Sequence, residues 1–107
     1  MWFIFPQIQG LGHSETARFY AIKNKEEAMA YLTHPVLGKR LIEISQELLK
    51  LQTKNAVEVF GHVDSLKLNS SMTLFSLMEN TDPVFQQVLD KFYEGIKDNR
   101  TMNGMNE

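Results

Sequence analysis

Downstream of Pro35, Leu37, Leu41, Ile44, Leu48 and Leu51 recur at steps of four and three. That spacing lines one face of an α-helix and cannot line one face of a strand. Pro35 suits a first helical position, because its fixed φ is already helical and its missing N–H would find no partner there. The spacing therefore predicts a core helix over Pro35–Gln52. Glu43 and Glu47, four apart on the opposite face, belong to its solvated side and make no acid/base pair.

The flanking segments carry helix punctuation of the same kind. Ser14 can cap a helix over Glu15–Ile22, and Asn24 with Glu27 three residues on forms a capping-box pattern ahead of Ala28, Met29 and Leu32. Asn55 with Glu58 predicts a short turn of helix running to Phe60 and ending at Gly61. Asp64 can cap the next helix, on which Leu68, Met72 and Phe75 share a face with Leu74 and Met78 close beside them. A last strong helix begins at Asp82-Pro83, buries Phe85, Val88, Leu89 and Phe92, and stops at Gly95. Only Trp2–Phe5 has the residue types of a strand, and a run this short reads equally as a buried extended segment. The expected fold is mostly α: a compact multi-helix bundle with an extended or short β-like N-terminal segment. One domain spans 1–101, and 102–107, which carry no periodicity, form a frayed tail.

The composition narrows the function classes. The 107 residues have a formal net charge of −2, so no basic field draws the chain to nucleic acid or anionic lipid. Hydrophobic residues at 43% and charged residues at 22% match a globular chain and leave no candidate membrane span. The absence of cysteine excludes disulfides, thiolate metal sites and a thiol nucleophile together, and fits a reducing, cytoplasmic setting. No signal peptide is expected, because the apolar start lacks a basic n-region and stops at Pro6. His13, His34 and His62 lack metal-ligand spacing, and no residue pattern implies a cofactor.

Two polar motifs stand beside apolar segments. Gly10-Leu11-Gly12-His13-Ser14 precedes a predicted helix start, an arrangement that either presents N–H groups and a hydroxyl to an anion or only permits a tight turn. Lys67 lies three and four residues before Ser70 and Ser71, so ammonium and hydroxyls share a helix face. The pair would make a Ser–Lys nucleophile only if burial lowered the lysine pKa, and nothing in the sequence supplies that burial. Otherwise Lys67 is solvated and the hydroxyls bond back to preceding carbonyls.

The order of these motifs carries a resemblance. Phe5-Pro6-Gln7, Gly10 to Ser14, Tyr20-Ala21-Ile22, Tyr31-Leu32-x-His34-Pro35-x-Leu37-Gly38-x-Arg40-Leu41, Lys67-Leu68-x-Ser70-Ser71-Met72-Thr73-Leu74-Phe75 and Asp98-x-x-Thr101 follow one another as in the domain-of-unknown-function family eighteen-ten (DUF1810). The chain resembles that family from Trp2 to about Thr101. The resemblance implies a compact, mostly helical, bacterial-type cytoplasmic domain with no established reaction. Some members carry the label calpastatin, whose inhibitor segments are disordered when free, unlike a chain with a core helix and capped neighbours. It marks Gln7, Ser14, His34, Lys67, Ser70, Ser71 and Thr73 as matching polar positions, to which the loop glycines Gly10 and Gly12 are added as candidate ligand-binding residues. It also implies a further helical segment ahead of the aromatic run, which makes Met1 look like an internal methionine or the chain a shortened form.

Two functional readings follow. In one, the loop Gln7–Ser14 and the polar stretch Lys67–Thr73 form a small-molecule site, enzymatic or not, for an anionic or nucleotide-like metabolite. In the other, Trp2, Phe3 and Phe5 form the contact surface of a non-catalytic interaction module, with a second copy of the chain as one partner. The first reading names no catalytic residue, metal or cofactor.

Overall fold

Local capping chemistry sets where most of the helices begin. The computed structural model describes residues 5–7 and 21–105. Among these lie α1 (Lys25–Thr33), α2 (Leu37–Leu49), α3 (Ala56–Phe60), α4 (His62–Ser76), α5 (Val84–Tyr93) and α6 (Asn99–Met105). The Asn24 side chain accepts from the Glu27 N–H at 2.8 Å, Asn55 from Glu58 at 3.2 Å and Asp82 from Val84 at 2.9 Å, each satisfying a donor that the helix itself leaves open. Asp64 does not cap as expected. It sits inside α4, because Gly61 ahead of it takes φ 83 and ψ 167, a conformation essentially confined to glycine, and lets α4 follow α3 with no further spacer.

The core helix is shorter than Pro35–Gln52 at both ends. Its entry is held by His34, whose Nδ1 accepts from the N–H groups of Val36 and Leu37 at 3.1 Å each, so regular helix starts at Leu37. Its exit is closed by Lys91 from α5. The Lys91 ammonium donates to the carbonyls of Leu48 at 3.2 Å and Leu49 at 2.9 Å, and also to that of Leu51, taking the acceptors that the end of a helix leaves open. Between these ends the expected face is seen only in part: Leu41 and Leu48 are buried with Gly38 and Ser45 and Ile44 is half-buried, but Leu37 and Leu51, at the two ends of the face, are exposed, as are Glu43 and Glu47.

α4 is the centre of the fold. It packs against α3, α5, α6 and α1, and its C-terminal half has no solvated side. Ser71, Met72, Thr73, Leu74 and Phe75 are successive residues and every one is 0% exposed. Consecutive residues point about 100° apart around a helix, so such a run is buried on all sides rather than along one stripe. Phe75 stacks between Tyr31 and Phe85 with both ring centroids 5.7 Å away. α5 contributes Val84, Phe85, Val88, Leu89 and Phe92, the face expected of it. The left-handed position after α5 is taken first by Glu94, at φ 54, and then by Gly95, at φ 79.

The N-terminal piece is extended where it is described. The Gln7 carbonyl accepts from the Ile22 N–H at 2.7 Å, and Ala21 and Ile22 are not helical, so the helix expected over Glu15–Ile22 does not include them. Positions 15–20 lie outside the described residues. Phe5, expected to be covered by later helices or by a second copy, is 2% exposed and set edge-on against Phe60 of this same chain. Trp2 and Phe3 lie outside the described residues. Met102 to Met105, which carry no helical periodicity, nevertheless continue α6.

Candidate functional site

The polar residues of α4 do not act alone, because a second motif meets them. Asp98 stands at the start of α6 and its Oδ2 accepts from the Thr101 N–H at 3.0 Å and from Thr101 Oγ1 at 2.6 Å, which fastens the first turn of a helix with no apolar stripe of its own. The same oxygen lies 3.2 Å from Ser70 Oγ, and the Asp98 N–H donates to Thr73 Oγ1 at 2.9 Å. Thr73 in turn donates to Asn69 Oδ1 at 3.3 Å. Ser70 and Thr73 thus dock α6 onto α4, and each contact joins positions at least 25 residues apart in sequence.

Beside this junction lies a cleft of about 340 Å³ whose wall includes Gln7, Lys67, Asn69, Ser70, Asp98 and Arg100. Three residues singled out in the sequence, Gln7, Lys67 and Ser70, come together here. Gln7 is 2% exposed and its carboxamide nitrogen has no hydrogen-bond partner among the described residues. Such a buried, unmatched donor is costly until an acceptor is supplied. Lys67 keeps a third of its side chain in solvent and has one long contact, 3.9 Å, to Asp64. Arg100 makes no ion pair among the described residues.

The other expected site residues are elsewhere. Ser71 points into the core, fully buried, with no partner for its hydroxyl among the described residues. His34 is at the exposed α1–α2 turn, its Nδ1 committed to the two backbone N–H groups, and does not line the cleft. Gly10, Gly12 and Ser14 lie outside the described residues. Lys67 makes no hydrogen bond to Ser70 or Ser71, and Ser70 Oγ instead lies 3.1 Å from the Leu66 carbonyl, so the geometry of a Ser–Lys nucleophile is not formed. Asp98, Arg100 and Asn69 join the cleft without having been marked as site residues. The signal for the first was the Asp98-x-x-Thr101 spacing, a capping pattern before a segment with no other reason to be helical.

A larger cleft, about 600 Å³, follows α2 past Tyr31, Arg40, Glu43, Ile44 and Glu47. Its charges are of mixed sign, and it holds no buried unmatched donor or acceptor among the described residues. Burial pushes the Tyr31 phenol above its usual range. Burial also pushes up Tyr93, opposed in part by hydrogen bonding with Ser65 and Asn69, and its hydroxyl donates to the Ser65 carbonyl at 2.5 Å. Among the described residues, no helix is long and apolar enough to cross a membrane and no group of three side chains is placed to hold a metal ion.

Comparison with known proteins agrees with the motif order. Residues 1–105 match the family described as "Protein of unknown function (DUF1810)". The crystal structure of the conserved hypothetical protein Rv1873 from Mycobacterium tuberculosis superposes with a TM-score of 0.95 at 43% sequence identity, covering 99% of this chain and 76% of that one. No curated protein matches.

Proposed function

This chain belongs to the DUF1810 family, and from that premise we propose that it binds a small anionic metabolite in the cleft between α4 and the start of α6. The observation that carries the proposal is the Gln7 carboxamide nitrogen, buried without a partner among the described residues in a wall that also holds Lys67 and Arg100. A carboxylate or phosphate oxygen placed there accepts from Gln7 while two cations offset its charge, and Arg100 adds a planar fork suited to such groups. A ligand oxygen in that position removes the cost of leaving Gln7 unmatched. A cleft of about 340 Å³ is at the low end for ligand sites, which favours a compact metabolite over a dinucleotide. Among the described residues none in the cleft is arranged as nucleophile and base, and the reading is one of binding.

The test is thermal unfolding in the presence of inorganic phosphate at constant ionic strength. Phosphate stabilises any protein somewhat by exclusion from its surface, so the informative quantity is the difference between the parent chain and Lys67→Ala/Arg100→Ala. A concentration-dependent rise in Tm in the parent that is absent from the double variant supports the site. Equal rises in the two proteins would remove it.

A further inference from the structure

We infer that the anion bound in this cleft also carries a hydroxyl group, which donates to Asp98 Oδ1. The inference rests on the binding reading above and narrows its ligand class to hydroxylated phosphates or carboxylates. Asp98 is half-buried in the cleft wall, and its two oxygens are used unequally. Oδ2 accepts both Thr101 donors and lies within reach of Ser70, whereas Oδ1 accepts from none of the described residues. Among the described residues neither Lys67 nor Arg100 forms an ion pair with it, and the Lys67 partner is Asp64.

A carboxylate oxygen in this position discriminates between anions. A ligand that presents only acceptors places its own lone pairs against those of Oδ1 and meets repulsion, in a site whose cations otherwise favour it. A ligand with a hydroxyl a few bonds from its charged group satisfies Oδ1 and Gln7 together. The wall then reads as a complementary set: an amide donor and two cations for the anion, and one acceptor for the hydroxyl. The cleft volume, at the low end for ligand sites, suits a compact hydroxylated anion.

Isothermal titration with three probes tests this: inorganic phosphate, glycerol 3-phosphate and n-propyl phosphate, the last two matched in charge and length but differing in hydroxyls. The expected result is glycerol 3-phosphate binding about tenfold or more tighter than propyl phosphate, the scale of a hydrogen bond to a charged group. Asp98→Asn retains one carbonyl oxygen for Thr101 and Ser70 and caps a helix well, but puts an NH₂ in place of Oδ1. It is expected to shrink the ratio, because the hydroxyl exchanges a hydrogen bond to a charged oxygen for one to a neutral amide. Equal binding of the two esters by the parent chain overturns the inference and leaves the anion site standing, and that ratio decides even where the variant fails to fold. Absence of binding by all three probes overturns the anion site itself.

Discussion

Gly38 lies so close to the carbonyl of Leu32 that a Cβ on residue 38 would stand 1.8 Å from that oxygen and 2.6 Å from its carbon. The obstacle is backbone, not the end of a flexible side chain, so it cannot move aside without shifting the α1–α2 turn. Gly38 is therefore what allows α2 to cross the end of α1, with its N–H donating to the His34 carbonyl at 3.0 Å.

Replacing Gly38 with alanine is expected to destabilise the chain despite alanine's advantage of about 1 kcal/mol inside a helix. Overpacking typically costs about 1–3 kcal/mol, and a clash with backbone belongs at the upper end. Urea unfolding of Gly38→Ala should show a clearly lower midpoint. A midpoint at or above that of the parent would mean that the turn relaxes freely.

The Thr73–Asp98 contact makes a second, more local prediction. Thr73→Val keeps the shape of a fully buried side chain but leaves the Asp98 N–H without its acceptor, at a cost of about 1–3 kcal/mol. The loss should be greatest around α6. Hydrogen exchange at Asp98 and Thr101 should quicken more than exchange in α2, and a uniform change across the chain would argue against α6 being docked through Thr73.

These two cases show what was legible in the sequence and what was not. Caps such as Asn24, Asn55 and Asp82 act over three residues, so local patterning suffices to find them. The burial of α4 on every side is not local. Its partners come from α1, α3, α5 and α6, and a helix enclosed by four neighbours needs small polar residues such as Ser70 and Ser71 on faces that periodicity assigns to solvent or ligand. α6 is readable only at its cap, the Asp98-x-x-Thr101 spacing: what holds the rest is docking onto Thr73, not an apolar stripe. In the cleft, Gln7, Lys67 and Ser70 were identifiable from their motifs, while Asp98 and Arg100 enter through a chain crossing no local pattern encodes.

Ser71 is expected to behave differently from its neighbour Ser70. Its hydroxyl is fully buried with no partner among the described residues, a state that costs about 1–3 kcal/mol in proteins generally. Ser71→Ala removes the unmatched group and supplies a better helix former, so stability should hold or rise. The response of Tm to phosphate should also match the parent, because Ser71 does not line the cleft. A loss of more than about 1 kcal/mol would show that the hydroxyl has a partner after all.

Tyr31 and Tyr93 give the chain a predictable alkaline limit. Both phenols are raised above 10.0 by burial. Below that pH they are neutral in the folded and unfolded chain alike, so they add no pH dependence. Above it, the unfolded chain releases these protons while the folded chain still holds them, and release favours unfolding. Stability should therefore begin to fall as pH passes about 10, until the folded-state phenols also ionise. Lysines titrate in the same region, so the comparison that matters is with Tyr31→Phe/Tyr93→Phe. That variant should be less stable at pH 8, having lost the Tyr93 bond to the Ser65 carbonyl, yet show a shallower decline between pH 9.5 and 11 in urea midpoints, a window set around the usual tyrosine pKa of about 10. Parallel declines in the two proteins would show that neither phenol contributes to the alkaline transition.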